Sequence, residues 1–146
     1  MSSHALGIII GGMIPALIFG IVNLAVKAAA DSGIGVGRYV LFVGIGVVLV
    51  GSMILFFMPD RTISLQSSLF AGAVGFGWGL GIGLIVIALN KFGLPISVLT
   101  PLFNMNTLVT VLLALWIFAE WKQVRVPQLL FGSVLILIGG TIVARS

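Results

Sequence analysis

Cysteine is absent from the chain, histidine occurs once, and only 7% of the 146 residues carry charge. Each scarcity removes a class of function. Without thiols there is no disulfide framework, no thiolate metal site and no thiol nucleophile. The single histidine, His4, lies at the terminus, and the three carboxylates, Asp31, Asp60 and Glu120, are scattered at the ends of apolar runs. No paired carboxylates and no metal-ligand cluster remain, so an enzyme is not expected and neither a cofactor nor a metal is implied. A soluble domain usually has about a quarter of its residues charged. Here 60% of the chain is hydrophobic instead. A single core cannot hide that much apolar surface, because small domains still expose a large share of what they fold from. The solvent that fits the composition is lipid, and the first expected partner is a bilayer.

The formal net charge of +4 rests on Lys27, Arg38, Arg61, Lys91, Lys122, Arg125 and Arg145. They stand singly at the ends of apolar runs and form no phosphate-tracking patch, so nucleic acid is not an expected partner. Their placement suits head-group anchoring.

A spanning helix needs about 20 mostly apolar residues. Five runs qualify, at about 6–29, 37–58, 65–89, 95–119 and 126–144. The breaks hold nearly all the charge together with Gly33, Gly35, Pro59, Gly93, Pro95 and Pro127. Pro95 and Pro127 suit a first helical turn, where a missing N–H leaves nothing unpaired. The runs are continuously apolar, without the period-two alternation of a membrane β-barrel. The fold class expected is therefore an all-α integral membrane protein of five transmembrane helices, one transmembrane domain over 1–146. The first run has no basic residue before it and exceeds a usual signal-peptide core, so it is expected to stay as a helix even though Ala28-Ala29-Ala30 resembles a cleavage site.

Five crossings put the ends of the chain on opposite sides. One side holds Arg61, Lys122 and Arg125, the other Lys27, Arg38, Lys91 and Arg145. The positive-inside rule needs an asymmetry, and three against four provides little. Two readings stay open. A few dominant residues, such as the Lys122/Arg125 loop, set one orientation, or the chain inserts both ways up.

Polar side chains and broken helices are expensive in lipid, which makes them the candidates for function. Pro15 follows Gly11-Gly12 in the first run and deprives the Gly11 carbonyl of its donor, so a hinge is expected there. Gly12, Ala16, Gly20, Asn23 and Lys27 share a stripe less than about 90° wide. That stripe is read either as close helix packing with Lys27 snorkelling to the interface, or as the wall of a polar cavity. In the third run, AGAVGFGWGLGIG, Gly75, Gly79 and Gly83 recur at i+4 and Gly77 and Gly81 form a second row, suited to close backbone approach. No Lys-Ser/Thr follows, so this is not a phosphate loop. Trp78 lies between the rows with an indole N–H that needs a partner when buried.

The fourth run, LPISVLTPLFNMNTLVTVLLALWIFAEW, is the most distinctive. Thr100, Asn104, Asn106, Thr107 and Thr110 fall within about 160° of arc, opposite Leu102, Met105, Val109, Leu112 and Trp116. Pro101 interrupts this helix near its start and frees the Ser97 carbonyl. Two asparagines so close together are too costly to face lipid. They serve interhelical hydrogen bonds or the wall of a substrate site beside a broken helix, as transporters build near the midplane. No acid lies within a span, which disfavours proton coupling through a central carboxylate.

The stretch GLPISVLTPLFNMNTLVTVLLALWIFAEW, a short basic loop and QLLFGSVLILIGGTIVARS together resemble the C-terminal part of an EamA domain, the repeat unit of the drug/metabolite transporter superfamily. Ala119-Glu120 stands where Gly-Glu is common in that family, and Gly132, Gly139 and Gly140 match its last helix. The segment PALIFGIVNLAVKAAA is similar to the family's first helix, with Gly20 and Lys27 at the matching places. The resemblance covers most of the chain and is weakest across the second run.

The resemblance implies a multi-pass protein of the cell (inner) membrane that moves a small metabolite. The family usually has ten helices in two inverted five-helix repeats, and this chain has one, so a homodimer or a second five-helix half is the implied partner. Small multidrug-resistance proteins of the same superfamily rely on a Glu in their first helix. None stands here, so exchange of cationic drugs for protons is not expected. The resulting expectation is a secondary transporter subunit whose small polar or anionic substrate meets Asn23, Lys27, Trp78, Thr100, Asn104, Asn106 and Thr107. Pro15 and Pro101 act as helix hinges, and Gly12, Gly20, Gly75, Gly79 and Gly83 as packing positions. The alternative is a structural or regulatory membrane subunit that packs on a partner protein and has no solute path.

Overall fold

The computed structural model describes residues 3–58, 62–143 and 145, and among them every regular element is helical. Five helices are long and apolar enough to cross a membrane: α1 (Ala5–Asp31), α2 (Val36–Phe57), α3 (Leu65–Phe92), α4 (Ile96–Ile117) and α5 (Val126–Val143). The expected break at Pro59, Asp60 and Arg61, and the expected last helical residue Ala144, lie outside the described residues. Within the span read as one domain, the chain divides into two compact units, Met1–Gly93 and Leu94–Ser146.

The ends of the helices follow local chemistry. After α1, the Ser32 N–H returns to the Ala28 carbonyl at 3.1 Å and Gly33 takes a positive φ of 78°. α3 begins with a reciprocal cap. The Ser67 N–H donates to Ser64 Oγ at 3.1 Å, and the Ser64 N–H donates to Ser67 Oγ at 3.2 Å. Two otherwise orphaned donors are thereby satisfied. α3 runs through Asn90, Lys91 and Phe92, beyond the expected end at Leu89, because the chain first reverses at Gly93, with φ of 63°. Pro95 sits at the N-cap of α4 rather than within its first turn. α4 stops at Ile117, before the expected Ala119, because Ala119 itself adopts a left-handed φ of 55°. A short 3-10 turn at Glu120–Lys122 then leads toward α5.

Two helices are interrupted. In α1 a π-turn spans Ile9–Met13, and the Ile14 N–H donates to Ile9, five residues back. Pro15 has no N–H, and its ring crowds the carbonyl four residues earlier. Widening the preceding turn relieves that crowding while the helix continues. α4 consists of Ile96–Phe103 and Asn106–Ile117, separated by a turn at Asn104–Met105.

In the first unit, α1 and α2 each pack on α3. The buried residues are Val26 and Ala30 of α1, Tyr39 of α2, and Gly83, Val86 and Leu89 of α3. All lie toward one end of the unit, where α1 finishes, α2 starts and α3 finishes. Toward the other end, large side chains such as Ile10, Leu17, Phe56 and Phe70 stand exposed. In the second unit, both parts of α4 pack on α5, with Leu115, Ser133 and Gly140 buried. Ser133 tolerates burial because its hydroxyl donates to its own helix, at the Leu129 carbonyl, 2.9 Å away.

Candidate functional site

The interruption in α4 gathers four of the expected site residues. The Thr100 hydroxyl donates to the Ile96 carbonyl at 2.8 Å, and the Asn104 N–H donates to the Thr100 carbonyl at 3.1 Å. Thr107 closes on Asn104 twice, through its N–H at 3.1 Å and its hydroxyl at 2.8 Å, both to the Asn104 carbonyl. The two threonines thus spend their hydroxyls on the backbone around the break. Asn104 and Asn106 are different. Both are exposed, and among the described residues neither side-chain amide makes a hydrogen bond.

The break falls after Pro101, at Asn104–Met105. Pro101 removes the donor that the Ser97 carbonyl would have met. The Met105 N–H, which in a continuous α-helix would close on Pro101, instead donates to Leu102 at 3.1 Å. The Pro101 carbonyl is thereby released from the helical ladder. It faces Gly140 of α5, where a Cβ would stand 3.3 Å from that oxygen and 3.4 Å from Met105 Cγ. Only a glycine admits this approach without displacing the backbone. The site therefore offers neutral donors and acceptors, two free amides beside released carbonyls. It suits hydrogen bonding to a polar solute and provides no acid or base.

The remaining expected residues lie in the first unit. Asn23, half-buried on α1, makes no side-chain hydrogen bond among the described residues. Lys27 forms an ion pair with Asp31 one turn later, and both side chains stay substantially exposed, 40% and 60%. Its charge is thus already opposed within α1. Trp78 is 48% exposed on α3. Of the expected packing glycines, Gly79 and Gly83 lie against α2, with Val40 at 3.7 Å and 3.6 Å from their Cβ positions. At Gly12, Gly20 and Gly75 a Cβ would meet nothing within 4 Å.

Met105 and Gly140 meet at this contact and Ser133 is buried on α5, although by sequence Met105 belongs only to the apolar face, Gly140 only to a glycine motif, and Ser133 to neither. The signal was the seven-residue spacing of Ser133 and Gly140, which puts two small residues on one face of α5 where a neighbour approaches. Two shallow hollows stand out on the surface. One is lined by Val40, Leu41, Gly44, Ile45, Val48 and Leu49 on α2, the other by residues between Trp121 and Gln128 at the start of α5. Neither contains an expected substrate residue. Comparison of the chain with protein-family models, with curated proteins and with solved structures found no match.

Proposed function

We propose that the chain is a multi-pass membrane protein and one five-helix half of a secondary transporter for a small polar solute, resembling a single EamA repeat and working as a dimer of such repeats. The observation that carries this reading is the broken α4, with the Asn104 and Asn106 amides free of partners among the described residues. In hydrocarbon an amide without a partner costs several kcal/mol (roughly 2–7), so these two are best explained by a solute, a water-filled path or a second copy that meets them. The left-handed φ at Ala119 supports the resemblance, because glycine is the residue common at that place in the family and glycine is what such a backbone favours. The resemblance implies a second five-helix repeat, inverted relative to the first, and two unfused copies of this chain would supply it by inserting in opposite orientations. Rocking of one repeat against the other would alternate access. Since Lys27 is paired with Asp31, a neutral or zwitterionic solute is favoured over an anion.

The test is the melting temperature of the purified chain in detergent across a panel of small metabolites. Asn104→Ala and Asn106→Ala remove no internal hydrogen bond, so both variants should fold as the parent does. Stabilisation by one solute that disappears in both variants is the expected result. No stabilisation by any solute would sink the transport reading. It would leave the second one, a structural or regulatory subunit, which the open faces at Gly12, Gly20 and Gly75 favour. Reporter fusions at the C-terminus test the pairing. Signals from both sides of the membrane are expected of an antiparallel homodimer, and a one-sided signal would replace it with a parallel dimer or a different partner.

A further inference from the structure

The hollow at the start of α5 takes no part in the proposed solute path. It lies in the second unit, in the segment that joins α4 to α5, and its wall includes Trp121, Arg125 and Gln128, with Val124, Val126 and Pro127 between them. Lys122 belongs to the adjoining 3-10 turn. The cations here are uncommitted. Among the described residues, neither Arg125 nor Lys122 forms an ion pair or a side-chain hydrogen bond, and Glu120, the only carboxylate of the segment, pairs with neither. The Trp121 indole N–H and the Gln128 amide also have no hydrogen-bond partner among the described residues. Trp121 is 49% exposed.

A guanidinium, an indole N–H and an amide thus line one shallow hollow, and among the described residues their donors are unspent; the Lys122 ammonium stands in the adjoining turn. A phosphate is the ligand such a set would bind, since guanidinium matches its oxygens in a bidentate fork. The position decides which phosphate. α4 ends at Ile117 and α5 begins at Val126, so in a bilayer the segment lies at head-group depth, where tryptophan and basic side chains collect. The apolar Val124, Val126 and Pro127 in the same wall would lie beside the glycerol and upper acyl region. We propose that this hollow is a binding site for the phosphate of an anionic phospholipid, with Arg125 as its charged contact, Trp121 and Gln128 as its neutral donors, and Lys122 in the adjoining turn adding positive charge beside it. The site rests on the membrane reading and is independent of transport.

The experiment uses the full chain reconstituted in phosphatidylcholine bilayers and, separately, purified in detergent with added phosphatidylglycerol, phosphatidylcholine or inorganic phosphate. Native mass spectrometry and the melting temperature read the binding. Phosphatidylglycerol should be retained and should raise the melting temperature, in a manner weakened by salt, while phosphatidylcholine and inorganic phosphate should do so far less. Arg125→Gln and Lys122→Gln, both at exposed positions, should each weaken retention about fivefold, and the double variant about 25-fold. Lys91→Gln, a cation at the end of α3 and outside the hollow, should weaken it less than Arg125→Gln does. Equal retention in the double variant and the parent would overturn the site, and so would equal stabilisation by inorganic phosphate. Failure of the chain to enter phosphatidylcholine bilayers would overturn the membrane reading and the lipid site with it. Entry without any preference for phosphatidylglycerol would overturn the site alone.

Discussion

Gly140→Ala and Gly139→Ala place the same methyl group on neighbouring residues of α5 with opposite consequences. At Gly139 a Cβ would meet nothing within 4 Å. At Gly140 it would stand 3.3 Å from the Pro101 carbonyl oxygen, 3.4 Å from Met105 Cγ and 3.6 Å from Met105 Sδ. Each variant gains the same intrinsic helix preference of alanine over glycine, about 0.5–1 kcal/mol. That gain cancels in the difference between the two, which leaves the steric contribution at Gly140. Met105 is a flexible side chain and would yield by rotation. The Pro101 carbonyl is backbone, fixed by the turn at Asn104–Met105, and would have to shift by a few tenths of an ångström. Overpacking of this kind costs about 1–3 kcal/mol, so Gly140→Ala should be less stable than Gly139→Ala by roughly that amount. Gly140→Val, with two further methyl groups in the same space, should fall lower still. Unfolding of the purified variants by sodium dodecyl sulfate in mixed micelles, followed by circular dichroism, gives the comparison. Equal stability of the two alanine variants would refute the claim that α4 and α5 meet through the Pro101 carbonyl.

Ala119→Gly should stabilise the chain by about 0.5–1 kcal/mol, because a left-handed conformation costs a non-glycine residue about 1–2 kcal/mol and part of the gain is lost to glycine's freedom when unfolded. The same unfolding assay measures it, and a loss of stability would contradict the φ of 55°. Gly83→Ala should be tolerated within about 0.5 kcal/mol, since its methyl would make ordinary contacts with Val40 and Val36 at 3.6 Å and 3.7 Å. A loss as large as that of Gly140→Ala would show α2 and α3 to be closer than described. Asp31→Asn should cost no more than about 0.5 kcal/mol, as expected for an exposed pair one helical turn apart. A double-mutant cycle with Lys27→Met reads the coupling, and a value several times larger would mean the pair is shielded from water.

The legibility of the fold differs from element to element for definite reasons. The helices expected at 37–58 and 126–144 lie within a residue of those limits at each described end, because an apolar run bounded by glycine, proline and charge leaves little choice. α3 outran its expected end because Asn90 and Lys91 read as a break by polarity, whereas the helix ends on backbone geometry at Gly93. The opposite happened at Ala119, where a good helix former adopts the conformation that ends α4. Pro15 and Pro101 were legible as interruptions, but their form was not. A π-turn precedes one and a tightened turn follows the other, and both depend on how neighbouring hydrogen bonds rearrange around a missing donor. Among the site residues, the crowding of polar side chains near Asn104 was visible in the spacing. The internal use of the two threonine hydroxyls, which leaves the asparagines as the free groups, was not. Neither was the pairing of Lys27 with Asp31, since a lysine at that spacing would equally well have snorkelled alone.

Composition and hydropathy by themselves determined five helices of membrane-crossing length, their approximate limits and the scarcity of groups for catalysis. These are additive properties of short windows, set by the transfer of each side chain and by the need of every backbone group for a partner within its own helix. Tertiary structure alone decided which small residues are used. Gly79 and Gly83 receive Val40, and Gly140 receives the Pro101 carbonyl, while Gly12, Gly20 and Gly75 face open space. A glycine row tells how closely a neighbour is able to approach. Which neighbour arrives depends on contacts between segments far apart in sequence, and those form only when the helices pack.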